Sequence, residues 1–372
     1  MNIRMVIFLS FILLLYGGMN FYVFLKADKI FHFSGATRII LVIGLFALIL
    51  DPIIIKLMER LHWETFARAL AWVGYLWMAF VFLFFFLHAT LDLTGCLLKF
   101  IVPGALVEAR DAAFFSAACV ITLALLIYGY HDAQNVRVTK LEIPAGRIAV
   151  PENKIRIVQI SDVHVGLIVR GKRLEKILQS IGECRPDILV STGDLLDGEL
   201  DNVTEEASKF AGLKAKYGKY AVTGNHEYYA GIKKSLEFTQ KAGFEILRDE
   251  VRHVAGINIV GFNDETDRAS LWRADKAFFQ RLFRPDGFTL ILKHQPRVDN
   301  RLNFNLQLSG HTHAGQIFPF MFFTRLFFPK NTGYFHLGKD KHLYVSSGAG
   351  TWGPPVRLLA PAEITVIDLI KK

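Results

Sequence analysis

The ten residues Ile155–His164, IRIVQISDVH, decide how the second half of the chain is read. Four of the first six are β-branched, and the run breaks at once into Ser161-Asp162-Val163-His164. A short buried strand therefore delivers a carboxylate and an imidazole at its tip. The same arrangement recurs downstream. Asp187–Val190 runs into Thr192-Gly193-Asp194, and Tyr220–Val222 into Gly224-Asn225-His226-Glu227. Phe288–Leu292 runs into Lys293-His294, and Asn305–Leu308 into Ser309-Gly310-His311-Thr312-His313. In the sheets of α/β proteins such strand ends gather along one edge, where sites are built. Ile257–Val260, His342–Val345 and Ile364–Ile367 are further predicted strands, and Arg173–Ile181, Thr204–Lys216 and Lys233–Ala242 are predicted helices. The order is α/β at first and strand-rich later, so residues 154–372 are expected to form one α/β domain. Residues 131–153, polar and carrying Pro144, Gly146 and Pro151, read as a linker or as a first strand.

The chemistry at the strand tips is specific. Asp162, His164, Asp194, Asn225, His294, His311 and His313 offer carboxylate, imidazole and amide donors and no thiolate. That mix suits Mn, Fe or Zn. Seven ligands are too many for one tetrahedral ion and enough for two if one carboxylate bridges. Gly193, Gly224 and Gly310, each just before a ligand, let the chain turn sharply. One Asp-x-His or one Gly-His-x-His alone carries little weight; five such tips in order, each after a predicted strand, form a pattern.

This pattern resembles the calcineurin-like metallophosphoesterase superfamily, with its DxH, GDxxD, GNH(D/E), lone His and GHxH motifs, over about residues 154–370. Joined to an apolar N-terminal half, it is similar to the bacterial subgroup related to the transmembrane protein with metallophosphoesterase domain. The ending Ser346–Thr351, followed by Arg357-Leu358 and Pro361–Ile364, is similar to that subgroup too. The resemblance implies a four-layer α/β/β/α sandwich. It implies that Asp162, His164 and His313 bind a first metal, that Asn225, His294 and His311 bind a second, and that Asp194 bridges the two. It further implies that His226 is a general acid oriented by Asp197, with a metal-bridging hydroxide attacking phosphorus. Where the serine/threonine phosphatase branch has a phosphate-gripping Arg after GDxxD, this chain has Gly198-Glu199, which speaks against protein phosphatase activity.

Residues 1–130 read as an all-α transmembrane region. Stretches 5–25, 69–91 and 112–130 carry no charge, and 39–55 is a weaker span because it contains Asp51-Pro52, which must lie near the interface or kink into the bundle. The first stretch has no small-x-small cleavage site before Lys26, so it reads as a span and not as a signal peptide. Four spans place the N-terminus and the C-terminal domain on one side. Six Lys/Arg in the short flanks of that side against five on the other lean towards the cytoplasm. A multi-pass protein of the cell membrane is the expectation.

Composition agrees: 52% of the 372 residues are hydrophobic and only 21% charged, with a mean hydropathy of +0.31, which excludes an ordinary soluble enzyme and global disorder. Three cysteines build neither a disulfide framework nor a Cys-rich zinc site. Residues 1–130 hold 9 Lys/Arg and 7 Asp/Glu, a net +2, and residues 131–372 hold 34 and 27, a net +7. The basic second half suits an anionic phosphoester and anionic lipid headgroups. It shows no aromatic–basic interleaving, so no nucleic acid is expected.

Ile317–Phe328, IFPFMFFTRLFF, reads either as a buried strand or core-filling loop, or as an apolar flap that touches membrane or acyl chains with Arg325 at headgroup level. The flap reading favours a lipid-linked substrate, with a UDP-diacylglucosamine-type pyrophosphate as one candidate by resemblance. The competing readings are a phosphodiesterase or nucleotidase for soluble substrates, and a membrane sensor or transporter with a regulatory metal domain. Arg357, His253, Trp352 and Trp272 are weaker candidates, of which Trp352, in a glycine-rich predicted loop, reads either as a pocket residue or as plain packing.

Overall fold

The computed structural model describes residues 3–101, 107–146, 153–198, 203–267 and 287–371. Trp272 and Glu199 lie outside them. The chain divides into two compact units, residues 1–130 with 353–356, and residues 131–352 with 357–372.

The first unit is built on four helices: α1 (Ile3–Phe31), α2 (Gly35–Arg60), α3 (Glu64–Ile101) and α4 (Val107–Ala133). Each is long and apolar enough to cross a membrane. All four run past the predicted spans, because helix continues through the polar flanks until a turn residue stops it. Their outward faces are apolar and exposed, as at Leu14, Ile40 and Val120, which suits lipid and would be costly in water. Their inner contacts centre on Val23, Val81, Phe84 and Ala118. Pro52 lies inside α2, and Asp51 beside it is buried among the helices.

The second unit begins with β1 (Arg137–Ala145), a strand inside the segment 131–153 that reads as linker or first strand; residues 147–152 of that segment lie outside the described residues. β1 lies parallel to β12 (Glu363–Lys371) along its whole length. It is an edge strand, which is where the missing N–H of Pro144 does no harm. After it come β2 (Lys154–Ile160), α5 (Lys172–Glu183), β3 (Ile188–Ser191), α6 (Thr204–Ala211), β4 (Lys219–Ala221), α7 (Asn225–Tyr229), α8 (Ile232–Lys241) and β5 (Glu245–Ile246). The first sheet has the order β1-β12-β2-β3-β4-β5, with β2 to β5 parallel. Helix α6 stops at Ala211 rather than Lys216, with Gly212, a poor helix former, at its C-cap.

The second sheet is made of β6 (Glu250–Val254), β7 (Ile257–Gly261), β8 (Phe288–Leu292), β9 (Leu306–Ser309), β10 (Gly333–Gly338) and β11 (Lys341–Val345), in the order β10-β11-β9-β8-β7-β6. Strands β7, β8, β9 and β11 are parallel. The short strands β5, β6 and β10 carry charged or glycine-rich sequence and show no apolar run from which to predict them.

The two sheets face each other. Ile155, Ile157, Ile188, Val190, Ile367 and Leu369 of the first share one core with Ile257, Ile259, Leu290, Leu292, Leu306 and Leu308 of the second. The spacing of two along each strand puts these side chains on one face. The other face of the first sheet takes the helices that link its parallel strands, since its inner face is already filled. Helix α5 shows how: Leu174, Ile177, Leu178 and Ile181 form a buried stripe at helical spacing, each worth about 1.5–3 kcal/mol of burial. These facing sheets and flanking helices match the sandwich expected from the motifs.

Candidate metal centre

Strands β2, β3 and β4 of one sheet and β8 and β9 of the other end at the same place, and their tips bring the seven predicted ligands together. Three groups of ligand atoms each fall within 4.8 Å of one another: Asp162, His164 and His313; His164, Asp194 and His226; and Asp194, His294 and His311. On one side His164 Nε2 and His313 Nε2 are 3.0 Å apart, and His313 Nε2 lies 3.5 Å from Asp162 Oδ1. On the other, His294 Nε2 lies 3.1 Å from Asp194 Oδ2, 3.1 Å from Asn225 Oδ1 and 3.1 Å from His311 Nδ1. Asp194 stands between, with Oδ2 also 3.9 Å from His164 Nε2.

The backbone is bent to achieve this. Asp162, His164, Asp194, His311 and His313 all have left-handed φ, between 49° and 75°. That conformation costs a non-glycine residue about 1–2 kcal/mol, and it clusters at functional sites. Gly310 is required by close approach: a Cβ there would lie 1.9 Å from Ser161 Oγ and 2.2 Å from Asp162 Oδ2.

Neighbouring groups aim the predicted ligands. His294 Nδ1 lies 2.9 Å from the Thr192 carbonyl, so it donates there and leaves Nε2 free towards Asp194. His164 Nδ1 is 3.3 Å from Asp197 Oδ1, at ion-pair distance, and its Nε2 likewise turns inward. Asp197 Oδ1 also sits 3.2 Å from His226 Nδ1, so one carboxylate faces two imidazoles.

The electrostatics are strongly polarised. Burial acts to raise the Asp194 carboxyl, but the charges of His294, His226 and His164 overcome it and hold the group well below the usual carboxylate range. Burial acts to lower His226, but Asp194 and Asp197 overcome it and raise the imidazole to about 9. His294 is held well above its ordinary value against its burial, chiefly by Asp194. Burial and then His294 push His311 down to about 4. Burial, His164 and Arg357 hold His313 well below the ordinary imidazole value. Imidazole nitrogens that face each other at hydrogen-bond distance around buried carboxylates cannot all carry protons. Cations placed among them satisfy every lone pair, so the donor set fits divalent metal.

The model of the Calcineurin-like phosphoesterase family matches residues 155–315. An uncharacterized metallophosphoesterase of Aquifex aeolicus is 36% identical over 256 residues, covering 67% of this chain and 97% of its own length. The chain belongs to the calcineurin-like metallophosphoesterase family. A second metallophosphoesterase, from Campylobacter jejuni, is 30% identical over 381 residues and covers 98% of both chains. A transmembrane protein with metallophosphoesterase domain from Danio rerio is 31% identical, over 68% of this chain and 62% of its own. This metallophosphoesterase is a phosphoester hydrolase and a membrane protein.

Two residues of the metallophosphoesterase unit have roles that the sequence did not assign. Glu227, the last residue of the Gly-Asn-His-Glu motif, is buried, and its carboxylate accepts from the backbone N–H of Asp194 (3.0 Å), Leu195 (2.7 Å), Leu196 (3.4 Å) and Gly224 (2.6 Å). It clamps the Asp194 loop to the Gly224 loop. Its position three residues after Gly224, in the first turn of a helix, was the available signal. Arg357 is fully buried and donates to the carbonyls of Ser347, Gly348, Gly350 and Ala360, with one nitrogen 3.3 Å from His313 Nδ1. A lone basic residue in an apolar, proline-rich run was the trace it left.

The apolar segment after His313 is neither strand nor core filler. Residues Phe320–Phe327 form helix α9, in which no residue is buried, and Leu326 and Phe327 are 77% and 74% exposed. It is tied to the centre through its second half. Thr312, between the predicted ligands His311 and His313, donates to the Asn331 carbonyl, and the Asn331 amide donates to Thr324 of α9. The Phe328 ring meets the His311 ring edge-on at 5.0 Å. Trp352 is more than half exposed, with its ring 5.9 Å from that of His226, so it stands at the mouth of the site rather than in the core.

Proposed function

We propose that this chain is a multi-pass membrane phosphoester hydrolase working with two divalent cations drawn from Mn, Fe or Zn. Asp162, His164 and His313 would hold one, Asn225, His294 and His311 the other, and Asp194 both. The observation that carries this reading is the pair of imidazole contacts at 3.0 and 3.1 Å on either side of the buried Asp194. When bound, the cations acidify a water and take up charge on the phosphoryl oxygens. His226 lies within ligand distance of His164 and Asp194, yet its Nδ1 is engaged by Asp197. It acts as general acid: Asp197 fixes the ring and keeps it protonated, and Nε2 donates to the leaving oxygen.

The substrate is an anionic phosphoester carried by lipid, such as a UDP-diacylglucosamine-type pyrophosphate. Helix α9 supports this, because exposed Phe320, Phe322, Phe323, Leu326 and Phe327 form an apolar surface on a segment anchored to the ligand loop. Membrane lipids cover that surface, with Arg325 at headgroup level. Four spans and the flanking charges support a catalytic unit on the same side of the cell membrane as the N-terminus, leaning to the cytoplasm.

The test is metal content and turnover of the purified full-length chain, with Asp194→Asn and His226→Ala beside it. Asp194→Asn is expected to lose both metal and turnover. His226→Ala is expected to keep metal and lose turnover, most of all on substrates with poor leaving groups. Equal metal loss in the two variants refutes the division of roles. Soluble phosphodiesters hydrolysed faster than acylated ones refute the lipid assignment.

A further inference from the structure

Among the described residues, one buried carboxylate of the helical unit has no partner. Asp51 lies within α2, is 1% exposed, and neither carboxylate oxygen has a hydrogen bond. No charged neighbour offsets its burial. Asp92 in α3 shows the contrast: it meets Lys26 at 2.5 Å, the Tyr22 hydroxyl at 2.7 Å and His88 at 3.5 Å. A bare carboxylate inside a membrane bundle is costly, and groups retained there pair with one another, with backbone carbonyls or with an ion.

The surroundings of Asp51 supply oxygen and room. The next residue, Pro52, has no N–H, so the Leu48 carbonyl four residues before it loses its helical donor. The Tyr16 hydroxyl of α1 reaches that carbonyl only at 3.5 Å, which leaves most of its capacity free. The Asp51 charge acts on the same hydroxyl. From α3, Gly74 faces the carboxylate: a Cβ there would lie 1.5 Å from Asp51 Oδ2 and 2.3 Å from Cγ. Only bare backbone leaves space for the acid. The polar seam continues through Asn20, whose amide donates to the Tyr16 carbonyl at 2.8 Å and whose Oδ1 accepts from Trp77 Nε1 at 2.8 Å.

We propose that Asp51, the Leu48 carbonyl and the Tyr16 hydroxyl form a site within the membrane unit for one monovalent cation, a proton or a sodium ion. One carboxylate balances one positive charge, and a carbonyl freed by a break in helical bonding is the kind of group that coordinates Na⁺ or H⁺ at membrane depth. The site is separate from the metal centre and does not depend on the reaction assigned to it.

The experiment uses the full-length chain in detergent with two readouts. The first is thermal stability in sodium chloride against choline chloride at equal ionic strength. The second is the infrared carbonyl stretch of a protonated carboxyl group. A sodium site raises the melting temperature of the wild type by several degrees in sodium, and Asp51→Asn abolishes the rise. A proton site gives no sodium effect but a carboxyl band that Asp51→Asn removes. Gly74→Ala, which crowds the carboxylate, is expected to weaken whichever signal is present. Gly44→Ala, with nothing within 4 Å of its added Cβ, is expected to leave it intact. Neither signal in the wild type, or the same signal in Asp51→Asn, overturns the proposal.

Discussion

Replacing Glu227 by Gln exchanges one acceptor oxygen for a donor NH₂ with almost no change in volume. One carboxylate oxygen takes the N–H groups of Asp194 and Gly224, and the other those of Leu195 and Leu196. A glutamine offers an acceptor to one pair and its NH₂ to the other. Two buried backbone donors are then left facing a donor. Each costs about 1–3 kcal/mol, so the variant loses roughly 2–6 kcal/mol. Burial and Asp194 raise the Glu227 carboxyl, and removing that like-charge contact returns part of the loss, which places the expectation near the lower half of the range. For a unit of this size about 2–4 °C corresponds to each kcal/mol. The assay is thermal unfolding of the full-length chain, paired with metal content. The melting point is expected to fall by roughly 5–15 °C, and metal retention with it, because the Asp194 loop is no longer held to the Gly224 loop. A variant with wild-type melting and wild-type metal content refutes the clamp.

Three further outcomes are expected. Arg357→Ala removes the donor of the Ser347, Gly350 and Ala360 carbonyls, while Gly348 keeps the Glu363 N–H; at about 1 kcal/mol or more each, denaturant unfolding should show a loss of roughly 3 kcal/mol, and a loss under about 1 kcal/mol contradicts the buried arrangement. The exposed residues of α9 contribute little to stability, so the combined change Phe322→Ser, Leu326→Ser and Phe327→Ser should leave melting nearly unmoved while lowering turnover of acylated substrate more than that of a soluble phosphodiester; equal effects on both substrates argue against a lipid-facing helix. Asp368 pairs with Arg156 at 2.8 Å and Lys154 at 2.7 Å. Burial acts to raise its carboxyl, but Arg156 and Lys154 hold it below its ordinary value. A depressed carboxylate stabilises the fold above its unfolded value, near pH 4, and the contribution is lost as the pH falls through the folded value. Asp368→Asn should therefore cost roughly 1 kcal/mol at neutral pH, and the cost should vanish in acid; a pH-independent difference contradicts the ion-pair origin.

Local sequence was enough to identify the strands at the heart of the second unit and the chemistry that stands at their tips. Ile155–Ile160 and Phe288–Leu292 announce themselves because burial is written into runs of apolar residues, and the Asp, Asn and His after them are legible because a strand end is a local event. The long helices are legible for the same reason: a chain with no charge over about twenty residues has few other solvents, and only the 39–55 span is interrupted, by Asp51. Packing in three dimensions settled which distant partners meet. β1 reads only as linker or first strand because its sheet partner, β12, comes at the far end of the chain. Ile317–Phe328 has the composition of a core segment, and only packing leaves α9 outside. Glu227 matters through four N–H groups drawn from two loops, and Asp51 is an orphan only because the residue opposite it on another helix is Gly74. Hydrophobic patterning is carried by neighbours along the chain, whereas the closing of a polar group by its partners is carried by neighbours in space. The first can be read before folding and the second only after it.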